Sequence, residues 1–224
     1  VELARKLASD IGTVYPAFPA DSFVGQSAAE VEELELKDRV AAIAAALRDH
    51  LPPAYPKAVE ILLSLLGPEN SSEQGIFTEA YHLMPVAHFV QVYGLDHFEV
   101  SLAALYEITK RHTAEFAIRP YLVRYQQQTL AVLHQWTQDD NPHVRRLVSE
   151  GTRPRLPWAP RLTAFVEDPA PVLALLARLK SDPSAYVRKS VANNLNDILK
   201  DHPDTGLELL ARWQKDAGDE TRWI

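Results

Sequence analysis

Three acidic side chains could carry out hydrolytic chemistry together: Glu115, Glu150 and Asp197. The surrounding pattern predicts that each lies on the second helix of a helical pair, and stacked pairs would direct all three to one concave face. Carboxylates in a shared cleft can stabilise a sugar that develops positive charge and can orient a water molecule, as in glycosidases. Alternatively, each acid is a solvated surface charge, which is the usual state of acidic residues.

Glu150 has an unusual predicted position, in the last turn of a helix. Asn141 can cap this helix and Pro142 suits its first position, while Gly151 predicts a left-handed turn at its end. A negative charge there costs about 0.3–1 kcal/mol, because it faces the negative end of the helix dipole. Glu150 therefore belongs either to a structural ion pair with the arginines that follow it or to a functional site.

Asp197 lies in the sequence SVANNLNDIL, which predicts a helix with one polar and one apolar face. The side chains that share the polar face are Ser190, Asn193, Asn194 and Asp197. An exposed, purely solvated position is therefore a less satisfactory interpretation for Asp197 than for an average surface acid.

The charge of the chain is unevenly distributed. The formal net charge is −7, yet residues 141–189 carry 9 basic and 4 acidic side chains. Residues 1–140 carry 10 basic and 19 acidic side chains, and residues 190–224 carry 4 and 7. A basic segment within an acidic protein indicates a local site for a polyanion.

Arg153, Arg155 and Arg161 lie in or beside a proline-containing loop of this basic segment. The planar guanidinium groups of Arg153 and Arg155 suit contact with phosphate. Trp158, in LPWAP, could pack as a plug into the core or could serve as a stacking platform for a sugar or base. The sequence does not decide between these two roles.

Helices must position these residues, because no segment shows the alternation typical of strands. In the first half, apolar spacing predicts a turn at 21–26, a loop at 67–75, and helices over about 28–51, 57–66, 78–91 and 96–111.

The second half repeats a helical pattern. Helix starts with an acceptor and a proline recur at Asn141-Pro142, Asp168-Pro169 and Asp182-Pro183. Apolar–arginine pairs end in Arg119, Arg145 and Arg188, and Thr221-Arg222 resembles a fourth start of this kind. These arginines are 26, 43 and 34 residues apart, which fits the period of about 40–47 for HEAT repeats only loosely. We interpret Arg119, Arg145 and Arg188 as structural links. The pattern predicts an all-α, HEAT-like repeat α-solenoid of stacked antiparallel helix pairs with a concave binding face.

Composition and motifs exclude several functional classes. The chain has no cysteine for a disulfide or a thiolate zinc site, and no apolar run approaches the roughly 20 residues of a membrane span. Phosphate-loop, dinucleotide, zinc-protease and nucleophile-elbow motifs are absent. His82 and His88 lack a third ligand, so no metal site is predicted, and Trp136 and Trp213 are assigned to the core. We expect a cytoplasmic protein.

Three long motifs resemble a known family. They are HVRRLVSEGTRPRLPWAPRL, DPSAYVRKSVANNLNDILKDHP and FEVSLAALYEITKRHTAEFAIRPYL. Together they resemble the AlkC branch of the AlkC/AlkD bacterial DNA alkylation-repair glycosylases, and the resemblance extends from ELELKDRVAAIAAAL onward. Motifs of this length are far more specific than any single residue spacing.

The resemblance implies an all-α HEAT-like solenoid that removes cationic N-methylated bases, chiefly 3-methyladenine and 3-methylcytosine, from double-stranded DNA. It implies a monomer that needs no cofactor and no deep base-flipping pocket. By motif, it implies that Glu115 in TAEFAIRP, Glu150 in SEGTRPR and Asp197 in NNLNDI line the catalytic site. The DNA-binding residues expected around them are Arg153, Arg155, Trp158, Arg161, Lys189 and Asn194. The immunoglobulin-like C-terminal domain of part of this branch does not occur in the sequence, so we expect one domain over 1–224.

The implied chemistry agrees with the residue types. A base methylated at N3 already carries positive charge, so it leaves readily and needs little general-acid help. Carboxylates attract such a base, whereas a basic rim is needed to hold the DNA backbone. The alternative is a HEAT-type scaffold that binds protein or nucleic acid without catalysis, and in that case no acids should converge.

Overall fold

The structure, a computed structural model, describes residues 1–31, 34–73, 80–215 and 218–224. Throughout these ranges the secondary structure is helical, with turns and loops but no strand. The chain divides into two compact units, Val1–Ala117 and Ile118–Ile224, and each has its own apolar core. The expectation of one domain over residues 1–224 stays a prediction. None of the described helices is long and apolar enough to cross a membrane.

The first unit contains six α-helices and one short 3-10 helix within its described residues. They are α1 (Glu2–Val14), α2 (Ala20–Val31), α3 (Leu36–His50), α4 (Tyr55–Leu63), a 3-10 turn (Tyr81–Leu83), α5 (Met84–Tyr93) and α6 (Phe98–Thr109). Neighbouring helices pack in pairs, α1 with α2, α2 with α3, α3 with α5 and α4 with α6. Phe23, Leu47 and Phe89 are fully buried at these contacts.

Two sequence predictions for this unit are wrong. The predicted turn at 21–26 lies inside α2. The predicted helix over 28–51 is interrupted, because α3 begins only at Leu36 after Glu35 in an extended conformation. The helices expected at 57–66 and 96–111 correspond to α4 and α6. The loop at 67–75 and the start of the helix at 78–91 lie partly outside the described residues.

The second unit contains eight α-helices within its described residues. They are α7 (Arg119–Arg124), α8 (Gln126–Trp136), α9 (Pro142–Gly151), α10 (Thr163–Glu167), α11 (Ala170–Leu179), α12 (Ala185–Leu199), α13 (Pro203–Lys215) and α14 (Asp219–Arg222). The predicted core position of Trp213 is confirmed, whereas Trp136 is only half-buried.

Helices α9 and α12 form the main helix pair of the second unit. Val144, Leu147 and Val148 of α9 recur at helical spacing, and all three are buried with Val191 and Leu195 of α12. The apolar faces of α9 and α12 therefore pack on each other.

The start of α9 has the predicted N-cap, whereas the N-cap of α12 lies two residues later than predicted. Asn141 caps α9 by accepting from the His143 N–H at 2.9 Å, as predicted. Helix α12 is capped by Ser184 rather than by Asp182, because Asp182 instead accepts from the Ser184 N–H at 2.9 Å. The acceptor–proline signal thus marks the turn before the helix as well as the cap itself.

Arginines connect these elements as the sequence indicated. Arg145 forms a two-point ion pair with Asp182, in the loop before α12, with its Nε 2.6 Å from Asp182 Oδ2 and its Nη2 3.0 Å from Oδ1. Arg119 donates to the carbonyl oxygens of Gly151, Arg153 and Pro160 at 2.6–3.1 Å. Arg119 therefore holds the end of α9 and the loop after it in place.

Arg188 makes a more local link. Its Nη1 donates to the carbonyl oxygens of Asp182 and Pro183 at 2.6 and 3.1 Å. It therefore ties α12 to the loop immediately before it, whereas Arg145 links α9 to that same loop.

Candidate active site

Glu150 and Asp197, on α9 and α12, are joined by one arginine. The Nη1 of Arg153 lies 2.6 Å from Glu150 Oε1, and its Nε lies 2.8 Å from Asp197 Oδ2. The exposed fractions of the three side chains are 11% for Arg153, 7% for Glu150 and 3% for Asp197. Two residues separated by 47 positions in the sequence thus form one buried, charged cluster, which we call the carboxylate–arginine bridge.

The bridge depends on how α9 ends. The predicted left-handed turn at Gly151 is wrong, because Gly151 is the last helical residue and Thr152 follows in a right-handed conformation. Thr152 Oγ1 donates to the carbonyl oxygens of Val148 and Ser149, which occupies acceptors that a helix end leaves unpaired. The chain therefore continues for one more turn and brings Arg153 back over Glu150.

Asn194 fixes this helix end from the neighbouring helix. Its Nδ2 donates to the Ser149 carbonyl oxygen at 2.7 Å and to Thr152 Oγ1 at 3.2 Å. The side chain has no exposed surface. The predicted DNA contact of Asn194 therefore does not fit the structure, which assigns this side chain to the contact between α9 and α12.

The second oxygen of Glu150 faces two further groups. Ser190 of α12 donates to Oε2 at 2.6 Å, and Arg146 Nη2 lies 3.6 Å from the same oxygen. Arg146 is one turn earlier on α9 and stacks over the ring of Tyr186. Both oxygens of Glu150 therefore have positively charged or hydroxyl partners.

The remaining oxygen of Asp197 has the weakest partner. Lys200 Nζ lies 3.2 Å from Oδ1, but the Lys200 side chain is 61% exposed. Ion pairs with an exposed, flexible lysine contribute little, typically about 0–1 kcal/mol. Asp197 Oδ1 is therefore the carboxylate oxygen of the bridge that a ligand could engage at the lowest cost.

Arg153 remains positively charged in this setting. Burial lowers the pKa of its guanidinium, but the hydrogen bond to Asp197 and the nearby charge of Glu150 outweigh burial and raise the pKa above its ordinary value. The two carboxylates thus lie among three cations, Arg146, Arg153 and Lys200. The site is a network of compensated charges, and the pair of Glu150 with Arg153 is the ion pair that the sequence left open as one of two alternatives for Glu150.

Glu115 lies in a different setting from the one predicted. It occupies the turn before α7, in the first compact unit, and is not on a helix. It is 4% exposed and accepts from Thr113 Oγ1 at 3.0 Å, while its own N–H donates back to that oxygen at 3.3 Å. Its burial is inconsistent with a solvated surface acid, and its convergence with Glu150 and Asp197 stays a prediction.

Arg155 is paired with a carboxylate in the structure. It donates to both oxygens of Asp201, at 2.7 Å through Nε, and its side chain is 23% exposed. The same orientation suits a phosphate, but in this structure the guanidinium edge is occupied. Phosphate contact by Arg155 would require it to share or leave Asp201.

Trp158 stands at the tip of the loop that links α9 to α10. Its side chain is 79% exposed, so it does not plug the core. Its φ angle is +62°, the left-handed value that only Trp158 adopts among the described non-glycine residues. The loop is anchored beneath it by buried Leu156 and by the hydrogen bond from Arg119 to Pro160. A large indole held outward at a costly backbone conformation favours the platform role.

Arg161 and Lys189 are exposed, as a contact with DNA phosphates requires. Sequence reasoning missed the partners of the two acids, namely Arg146, Ser190 and Lys200. Ser190 carried a signal, since it shares the polar face of α12 with Asn194 and Asp197 at intervals of four and three residues. No sequence signal indicated which side chain of α9 it would contact.

Comparisons with known proteins show what this chain is similar to. A family model described as DNA alkylation repair enzyme matches residues 108–222. The uncharacterised protein YhaZ of Bacillus subtilis is 40% identical over 224 residues, which is 100% of this chain and 60% of YhaZ.

Solved structures show the same fold. The alkylpurine DNA glycosylase AlkC of Pseudomonas fluorescens, bound to DNA containing an abasic site analog, matches at 43% identity and a TM-score of 0.89. This match covers 99% of the present chain and 59% of AlkC. AlkD2 from Streptococcus mutans, at 23% identity and a TM-score of 0.61, covers 91% and 92% and supports the fold alone.

The chain thus spans about three fifths of the length of YhaZ and AlkC. The prediction of an all-α, HEAT-like repeat fold is confirmed by these matches.

Proposed function

This chain belongs to the family of DNA alkylation repair enzymes, and from that premise we propose that it hydrolyses the N-glycosidic bond of cationic N-methylated bases in double-stranded DNA. The observation that carries the proposal is the carboxylate–arginine bridge, which joins two buried acids on neighbouring helices. Such acids match the need of a reaction whose sugar gains positive charge as the base departs.

The leaving group simplifies the chemistry. A base methylated at N3, such as 3-methyladenine or 3-methylcytosine, departs as a neutral molecule without prior protonation, so no general acid is needed on its side. The enzyme must hold negative charge near the sugar and direct water at its anomeric carbon. This requirement is consistent with a site that offers two buried carboxylates.

We assign different tasks to the two acids. Glu150 has both oxygens engaged by Arg153 and Ser190 and is held rigidly, which suits electrostatic stabilisation of the sugar. Asp197 has one oxygen with only exposed Lys200 as its partner, which suits acceptance of a proton from the attacking water. Arg153 holds both acids in register, because it donates to each at 2.8 Å or less.

We assign the basic segment 141–189 to the DNA backbone. Exposed Arg161 and Lys189 contact phosphates, and Trp158 stacks against a base or sugar at the lesion. Arg155 reaches phosphate only if it shares Asp201, and Arg153 acts mainly within the bridge. Glu115 is a further acid that we assign to catalysis by its motif, and the protein acts as a monomer on bacterial DNA in the cytoplasm.

The proposal is tested with a duplex that carries a single 3-methyladenine. The protein is incubated with this duplex, and alkali then cleaves the strand at any abasic site. Strand cleavage at the lesion, with none in a matched unmodified duplex, is the expected result. Binding to the lesion duplex without cleavage would instead support a non-catalytic scaffold.

A further inference from the structure

Ser190 contacts the candidate catalytic acid from the opposite helix. Its Oγ lies 2.6 Å from Glu150 Oε2, a distance typical of a strong hydrogen bond to an ionised carboxylate. Ser190 and Glu150 are both buried, so water does not compete readily at this contact. Because an ionised carboxylate only accepts, the serine hydroxyl is the donor.

Two arginines attract the Glu150 carboxylate, one from each side along the chain. Arg153 lies three residues after Glu150, with its Nη1 2.6 Å from Oε1, and Arg146 lies four residues before it, with its Nη2 3.6 Å from Oε2. An i, i+4 pair on one helix face can approach more closely than this. The hydroxyl of Ser190 donates to Oε2 at 2.6 Å, a shorter contact than that of Arg146, and thereby keeps the carboxylate turned toward Arg153.

We propose that Ser190 is a positioning residue, which selects Arg153 over Arg146 as the partner of Glu150 and so aligns Glu150 with Asp197. This inference rests on the proposed function, since it concerns the working orientation of a catalytic acid. Without the hydroxyl, the Glu150 carboxylate rotates toward Arg146, and the carboxylate–arginine bridge loses its shared geometry with Asp197.

The chain offers a matched control for Ser190. Ser149 is also a buried serine in the contact between α9 and α12, with no exposed surface. Its hydroxyl has no hydrogen-bond partner among the described residues, whereas its carbonyl oxygen accepts from Asn194 and is unaffected by a side-chain change. Ser149→Ala and Ser190→Ala therefore remove the same atom from the same interface, but only Ser190→Ala removes a bond to Glu150.

The experiment measures single-turnover excision of 3-methyladenine and, separately, the Kd for a duplex with an abasic-site analogue. We expect Ser190→Ala to slow excision by about tenfold, the loss of one hydrogen bond to a charged group, with Kd changed by no more than about twofold. Ser149→Ala should leave the excision rate and the Kd within about twofold of the wild-type values. Equal loss of excision in the two variants would overturn the inference, because it would reflect packing alone.

A second measurement tests whether Ser190 acts through Glu150. In the Glu150→Gln background, Ser190→Ala should cause no further loss of excision greater than about twofold, because interacting residues are not additive. The same tenfold loss in both backgrounds would overturn the inference.

Failure of the proposed function has a distinct signature. A wild-type protein that excises no base overturns the proposed function. The link between Ser190 and Glu150 is then judged from thermal unfolding of the wild type, Ser190→Ala, Glu150→Gln and the double variant. If the double variant loses less melting temperature than the two single variants together, the link is supported. If its loss equals the sum of the two single losses, the link is overturned. The melting data also reveal whether Ser190→Ala remains folded at the assay temperature.

Discussion

Arg155 donates through Nε to Asp201 Oδ2 at 2.7 Å and through Nη2 to the other oxygen of the same carboxylate, 46 residues away. This pair joins the loop after α9 to the end of α12. It lies beside the carboxylate–arginine bridge, in which Arg153, two residues earlier, contacts Glu150 and Asp197. Alternate arginines of one loop thus hold three acids.

Asp201→Asn should lower the melting temperature in a pH-dependent way. The hydrogen bond from Arg155 outweighs the effect of burial and holds the pKa of Asp201 below its ordinary value. A lowered carboxyl pKa stabilises the fold above the unfolded pKa of about 3.9, and this stabilisation is lost as the pH falls through the folded pKa. The difference in melting temperature between the wild type and Asp201→Asn should therefore be largest near neutral pH and vanish in acid.

Circular dichroism melts at several pH values measure this deficit. Glu208→Gln, at an exposed position of α13, is the control and should match the wild type throughout. A deficit that persists unchanged below about pH 3 would mean that the Arg155–Asp201 pair is not its source.

Glu150→Gln and Asp197→Asn should each reduce both excision and stability. The sequence alone suggested that loss of the Glu150 charge would hold or raise the melting temperature, because the helix dipole disfavours it. The structure reverses that expectation, since each change leaves the buried cation of Arg153 with one charged partner instead of two. Breaking a buried pair costs about 3–5 kcal/mol, which exceeds the 0.3–1 kcal/mol of the dipole.

Excision by these two variants should fall by about tenfold or more, as expected when over 1.36 kcal/mol of transition-state stabilisation is lost. Rates are measured below the melting temperature of each variant, so that unfolding does not contribute. A folded variant with the full rate would remove that acid from the catalytic set.

Arg161→Ala and Lys189→Ala should weaken binding to every DNA sequence alike. Both side chains are exposed in the basic segment, and removal of a single phosphate-binding cation should reduce the slope of log K against log salt by about 0.9. Binding is measured by fluorescence anisotropy over a range of salt concentrations. Arg212→Ala, an exposed cation of α13 outside this segment, is the control. An unchanged slope for Arg161→Ala would exclude a direct interaction of this side chain with phosphate.

Trp158→Gly should separate stability from DNA binding. The φ of +62° strains a tryptophan but not a glycine, so the change should stabilise the fold by about 1 kcal/mol or slightly more. Loss of the exposed ring should weaken binding to lesion DNA by about 1–3 kcal/mol if the ring stacks on a base. Trp158→Phe keeps both the strain and an aromatic face, and should keep most of the affinity.

Calorimetric melts and the anisotropy assay together measure these two effects. A Trp158→Gly variant that binds lesion DNA as tightly as the wild type would show that the indole is not a stacking platform.

The sequence by itself determined the helical class, the repeat pattern of the second half and the residues whose side chains could take part in catalysis. Apolar spacing at Val144, Leu147 and Val148 depends only on local periodicity, so it predicts the buried face of α9 without a partner. The cap at Asn141 is equally local. Local rules misplaced the start of α3, which apolar spacing put at about residue 28 and which lies at Leu36.

Only the tertiary structure decided how the acids are used. Glu150 and Asp197 are adjacent because α9 packs on α12, and the partners Ser190 and Arg153 follow from the rotation of each helix about its axis. That rotation is set by close packing of the apolar faces, which a pattern of residue types does not specify. The sequence therefore identified the two acids as candidates, while the packing of α9 on α12 determined that they share a buried arginine.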